Sequence, residues 1–208
     1  MHCGLPRTTF IKLFGVTVEA EGITMAKAAL QKDWYEIVAP DLFGGDIVAD
    51  TPAEEPGDVE GRTVKVGLQE LRPDTSRYYM DVFLRVDAVD GSRAKTSIAG
   101  HDVSSEYISK MVSRRSDRVD AVVDVETSDG EQVRVKIVGA TIRKTSSSQV
   151  SEVRKRMEDA VSAAAEQNSL DDFMDMIFSG ELQNTLEDAA QDIYPLREVE
   201  VRKTEVQQ

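Results

Sequence analysis

The chain has 208 residues and a mass of 23.0 kDa, which suits one domain or one domain with small extensions. Hydrophobic residues make up 40% of it, too many for a disordered or collagen-like chain and enough for a packed core. One cysteine excludes a disulfide scaffold and a multi-cysteine zinc site, and two histidines leave little room for histidine-based metal chemistry. No apolar run approaches the ~18 residues of a membrane helix. With 38 acids against 25 bases the formal net charge is −13, which taken as a whole argues against a nucleic-acid partner. The distribution of that charge reverses the argument.

Residues 1–24 differ in character from the rest. They hold Cys3 and His2, and Lys12 interrupts their apolar stretch, so they make a poor signal peptide. A short strand around Phe14 to Val18 is conceivable. We expect the native chain to begin at Met25, with 1–24 as a translated leader. The alternative is a loose extension that belongs to the protein. Residues 25–208 then form a single domain.

Residues 33–39 read as a strand ended by Pro40. Residues 41–60 read as a loop, carrying seven acids, no bases, and Pro52 and Pro56. Residues 61–70 alternate through Val64, Val66 and Leu68, a half-buried strand. Residues 78–89 alternate again, and Asp90-Gly91 offers a hairpin turn into a strand at 93–99. A helix fits 104–115, with Tyr107, Ile108, Met111 and Val112 on one face. Strands at 119–127 and 131–142 flank a second turn at Asp129-Gly130. After Ile142 the period lengthens. Val150, Val153, Met157, Val161 and Ala164 predict a helix over 148–165. Ser169 caps a second helix that Gly180 stops. A third covers 181–193. Pro195 then precedes strand alternation at 196–206, which would most simply join the earlier sheet. The fold class is α+β: an antiparallel β-barrel-like core over 33–143, with a central helix, helices over 148–193 and a closing strand.

Charge is segregated along the chain. Between Val133 and Arg156 lie Arg134, Lys136, Arg143, Lys144, Arg154, Lys155 and Arg156, with Glu152 as the single acid. Tyr107 to Arg118 carries Lys110, Arg114, Arg115 and Arg118 against Asp117. Residues 157–192 hold ten acids and no base. Such blocks predict one basic face that meets an anion. The plainer alternative is that neighbouring acids and bases pair with each other. Thr145 and Ser146, in the segment KTSSSQ at a helix start, suit phosphate through hydroxyls and backbone N–H groups. An ordinary serine N-cap explains them too.

Catalytic signatures are weak. No phosphate-binding loop, dinucleotide fingerprint, zinc-protease or nucleophile-elbow motif is present. His101-Asp102 beside Ser104 and Ser105 invites a triad, but a capped helix entry explains it more simply. The carboxylates of 41–60 lack calcium-loop spacing. We expect no catalytic activity, cofactor or metal.

Several long stretches in order resemble the S3Ae (eS1) family of small-subunit ribosomal proteins of archaea and eukaryotes. These are KDWYEIVAPDLFG, TPAEEPGDVEGR, GHDVSSEYISKMVSRRSDRVD, VRVK, KTSSSQ with the basic helix after it, and IYPLREVEVRK. The resemblance covers nearly all of 25–208 and none of 1–24. It implies a cytoplasmic structural constituent of the small ribosomal subunit, with no catalytic residues. Its partners would be rRNA on the platform, neighbouring platform proteins, and mRNA near the exit; no membrane is implied. Positions carried over as RNA contacts are Lys110, Arg114, Arg115, Arg118, Arg134, Lys136, Arg143, Lys144, Thr145, Ser146, Arg154, Lys155 and Arg156. The chain departs from the family in its acidity and its excess of arginine over lysine, 15 to 10. That departure resembles adaptation to a salty cell interior, where directional arginine contacts outlast counterion release. A free-standing RNA-binding regulator on a small β-barrel is the competing function, and an enzyme using His101 is a third.

Overall fold

Alternating apolar residues set the strands, and their inward faces are buried. The structure, a computed structural model, describes residues 32–72 and 77–207, all within the compact unit Lys32–Gln208. Residues 1–24, with the strand considered around Phe14 to Val18, lie outside the described residues. The first elements are strands β1 (Asp33–Val38), β2 (Ile47–Ala53) and β3 (Thr63–Gly67), then a four-residue helix α1 (Leu68–Leu71). Strands β4 (Met80–Asp90) and β5 (Arg93–Val103) follow, then helix α2 (Ser105–Met111) and strands β6 (Arg118–Glu126) and β7 (Gln132–Thr141). On β4, Met80, Val82, Leu84 and Val86 point into the core, the period-2 pattern of a half-buried strand.

Three local expectations are corrected. The strand expected over 61–70 covers only Thr63–Gly67, and Leu68, read as part of its alternation, opens α1. Residues 41–60 are not a loop throughout: β2 pairs antiparallel with β1, and Pro52 faces Trp34 in the register. Proline is tolerated there because β2 is an end strand of the sheet, with one edge unpaired among the described residues. The first hairpin turn sits one residue later than expected. Asp90 pairs with Arg93, so Gly91 and Ser92 are its central residues, and Gly91 takes φ +63°.

The helical half follows the period change. Helix α3 (Ser147–Gln167) buries Val153, Met157, Val161 and Ala165, four residues apart, and packs on β6. Val153, Met157 and Val161, fully buried, each contribute roughly 1.5–3 kcal/mol. Helix α4 (Leu170–Ser179) starts at Ser169, whose hydroxyl accepts the Asp172 N–H at 3.2 Å and donates to its carboxylate at 2.7 Å. Such a cap is worth about 1 kcal/mol. Gly180, at φ +93°, ends α4 and opens α5 (Glu181–Gln191), which packs on strand β8 (Leu196–Gln207) and on α3.

Strand β5 organises the sheet. Along its length it pairs antiparallel with β4. On its other edge, Arg93 to Lys95 pair parallel with β1, and Gly100 to Asp102 pair antiparallel with β8. Gly100 stands where β5 approaches β8, at φ +148°, and a Cβ there would collide with the Thr204 carbonyl. The order β2-β1-β5-β8-β7-β6, with β3 beyond β4, leaves the sheet open. The α+β class, the barrel-like core and the closing strand are as expected from sequence. The β1–β5 pair is a parallel exception to the expected antiparallel sheet, and β8 lies inside the sheet, between β5 and β7.

Candidate nucleic-acid interface

Two chain junctions carry bases at the same end of the sheet. The first joins α2 to β6. Helix α2 ends at Met111, earlier than expected, and Ser113 to Ser116 form a tight turn. The Ser116 hydroxyl donates to the Ser113 carbonyl at 3.0 Å and accepts the Ser113 N–H at 3.0 Å. Arg114 and Arg115 project from that turn and are exposed. They do not serve the α2 C-terminus, because Arg197 donates to the Met111 carbonyl instead.

The second junction joins β7 to α3 and carries Arg143 and Lys144. Asp117 ties it to the first. Its N–H donates to the Thr141 hydroxyl at 2.7 Å, and its carbonyl accepts the Thr141 N–H at 3.0 Å. Its carboxylate accepts the Thr145 N–H at 2.7 Å. Tyr194 adds a hydrogen bond from its hydroxyl to the Arg143 carbonyl at 3.3 Å. The two basic turns are thereby held side by side by hydrogen bonds through Asp117, Thr141 and Tyr194, and four cationic side chains are left without an ion pair among the described residues. Asp117 was not singled out from sequence; its place at the edge of a basic run concealed a positioning role.

The serine-rich start of α3 is a cap. Ser146 accepts the Gln149 N–H at 3.3 Å, and the Thr145 and Ser146 hydroxyls both donate to the Gln149 side-chain carbonyl. The exposed first turn of the helix continues the basic edge, with Lys155 and Arg156 further along α3. Among the described residues, Lys110, Arg114, Arg115, Arg143, Lys144, Lys155 and Arg156 form no side-chain ion pair.

The other bases in the expected set are engaged within the fold. Arg134 grips Asp124 with two bonds at 2.7 and 2.9 Å, across the β6–β7 register. This holds the Asp124 carboxyl below its usual range. Arg118 pairs with Asp120 at 2.6 Å, and Arg154 donates to the Asp120 carbonyl at 2.6 Å. Lys203 and Lys136 both bond Glu205, at 2.7 and 2.9 Å, and hold its carboxyl down at about 2. For these four bases the plainer alternative, local pairing, describes the geometry. Arg118, Arg134 and Lys136 sit on a charged ladder across the outer face of β6, β7 and β8, and Arg154 reaches β6 from α3. Beside it runs an open groove of about 730 Å³ of mixed charge, where Lys65, Arg118, Lys136, Arg202 and Lys203 face Asp81, Asp102 and Glu106, and Lys65 pairs with Asp81 at 2.7 Å.

His101 is fully buried in β5. Its two ring nitrogens meet the Thr204 hydroxyl at 2.7 Å and the Val201 carbonyl at 2.8 Å. Burial pushes its pKa down to about 4. Ser104 is the α2 N-cap, accepting the Tyr107 N–H at 3.3 Å. Neither side chain faces the other as a triad requires.

The family model described as the Ribosomal S3Ae family matches residues 24–208. The chain belongs to the ribosomal S3Ae family. It is 39% identical over 175 residues to the small ribosomal subunit protein eS1 of Sulfurisphaera tokodaii, covering 84% of this chain and 91% of that one. The protein of the same name from Saccharolobus islandicus is 35% identical over 189 residues, 91% of each chain. That from Desulfurococcus amylolyticus is 33% identical over 175 residues, covering 84% and 82%. The S3Ae match spans every strand and helix described above, so the two basic junctions and Asp117 belong to the family domain itself.

Proposed function

We propose that this S3Ae chain is a structural constituent of the cytoplasmic small ribosomal subunit, and that it holds rRNA through the two basic turns that Asp117 clamps together. The observation that carries this reading is the set Arg114, Arg115, Arg143 and Lys144: exposed, without an ion pair among the described residues, and brought together by the hydrogen bonds of Asp117 to Thr141 and Thr145. Fixed turns cost little entropy on binding, and arginine forks match phosphate oxygens. Lys155 and Arg156 extend the contact along α3, and Lys110 flanks it; Thr145 and Ser146, whose hydroxyl protons are committed to Gln149, take a secondary part. Arg118, Arg134, Lys136 and Arg154 have part of their donor capacity spent at home, so we assign them a weaker, secondary role. A place on the platform near the mRNA exit, beside other ribosomal proteins, follows from the family resemblance. We propose no catalysis: the histidine that invited a triad is buried and neutral, with both ring nitrogens committed.

The test changes Arg114, Arg115, Arg143 and Lys144 together to Gln. Small-subunit incorporation and thermal melting are measured separately at high salt. The expected result is rRNA binding about tenfold or more weaker, with melting nearly unchanged. Normal incorporation, or melting that falls in step with it, would make these residues structural and the interface wrong. A free-standing regulator is told apart by its failure to co-sediment with the small subunit.

A further inference from the structure

A second surface feature lies on the other side of α2. Tyr79 and Tyr107 stack with ring centroids 3.6 Å apart and planes within 6°. Their hydroxyls are tied down: Tyr79 donates to Glu200 at 3.0 Å and Tyr107 to Glu198 at 2.6 Å. Tyr78 meets Tyr79 edge-on at 5.7 Å yet remains 72% exposed, the most exposed large hydrophobic side chain among the described residues. The three rings, with Glu106, Glu198 and Lys110, line a pocket of about 270 Å³. Glu198 accepts one bond from Tyr107 and keeps the rest of its acceptor capacity. Glu106 is exposed and forms no ion pair among the described residues. Tyr79 and Tyr107 are held by their stack and their hydroxyl bonds, so a partner that covers them meets preorganised rings.

We propose that this pocket receives an arginine side chain from a basic segment of a neighbouring protein. The charge decides the occupant. Two carboxylates against one ammonium repel a phosphate-bearing strand and attract a cation. Aromatic faces favour a planar, weakly hydrated one, because the negative ring face attracts positive charge. A guanidinium alone satisfies both demands at once, stacking on tyrosine while its fork meets carboxylate oxygens. Lys110, one helical turn from Glu106, opposes the guest; it limits affinity and makes exchange easy. The partner's setting rests on the ribosomal reading, but the pocket chemistry does not, so each can fail alone.

The probe is an acetylated, amidated Gly-Arg-Gly peptide, titrated into the full chain at a salt concentration where it is folded. Binding is read from NMR shifts of the tyrosine ring signals. The citrulline analogue, alike in shape but uncharged, and cytidine monophosphate are run beside it. Saturable shifts with the arginine peptide alone are expected. Tyr78→Ala and Glu106→Gln should each weaken binding about threefold. Lys110→Gln should tighten it by a similar factor. Tyr78→Phe should bind as the parent does, which separates ring stacking from any loss of fold. Absence of saturable shifts with the arginine peptide would overturn the proposal. So would stronger binding of cytidine monophosphate that Lys110→Gln abolishes, because the site would then be a nucleotide pocket.

Discussion

At the scale of single residues, the side chains that matter most were hidden by distance along the chain. His101 reads from sequence as part of a catalytic cluster, because its neighbours are Asp102 and Ser104. Its real partners, Thr204 and Val201, arrive with β8. Burial keeps it neutral, with its pKa near 4 against an ordinary 6.5. An unfolded chain takes up this proton as pH falls below about 6.5, and the folded one resists until about 4. The contribution is therefore fully present above 6.5 and is lost on acidification, on the order of 3 kcal/mol in all. We expect His101→Gln to melt lower than the parent at neutral pH, yet to lose less stability between about pH 7 and pH 5. Parallel melting curves against pH for the two proteins would show that another group dominates that window. The free bases, by contrast, were legible as composition, because a run of arginines at a junction has nowhere in a core to go. Which of them stay free was not: Arg134 and Arg114 look alike until strand register places Asp124 opposite the first.

At the scale of elements, periodicity and caps made the helices readable to within a few residues. Ser169 and Gly180 bound α4 by local chemistry, so no tertiary information was needed. Strand β2 escaped because seven acids and two prolines outweigh its weak alternation, and only its pairing with β1 holds it extended. Strand β5 runs to Val103 rather than stopping at Ala99 because Gly100, which looks like a break, is an adaptation to β8. Gly100→Ala should cost about 2–4 kcal/mol, since the new methyl group has backbone, not a flexible side chain, against it. Gly91→Ala is the control: its φ of +63° is strained, but nothing lies within 4 Å of the added atom. Its expected cost is about 1 kcal/mol. If thermal melts rank the two alike, close approach to β8 does not govern the requirement for glycine at position 100.

Across the whole molecule, a net charge of −13 coexists with a basic edge. Acids elsewhere repel one another, and the ion pairs on the outer sheet face recover little, about 0–1 kcal/mol each when exposed. At 1 M salt the screening length shrinks to about 3 Å, and the repulsion fades faster than the close pairs do. We propose that the protein is adapted to high salt. It should be loosely folded in dilute buffer and compact above about 1 M KCl. Circular dichroism over a KCl series checks this, and a full native signal in dilute buffer would count against it.

The interior position of β8 also has a consequence in time. It follows every other described strand in chain order, yet it joins β5 to β7 and supplies both partners of His101. While the chain is being synthesised, the β4–β5 and β6–β7 hairpins emerge first, each with one inner edge unpaired. Nothing bridges them until residues 196–207 leave the ribosome that is making them. Assembly of the sheet thus waits for the last of the described strands, and the open edges are exposed to other chains until it arrives.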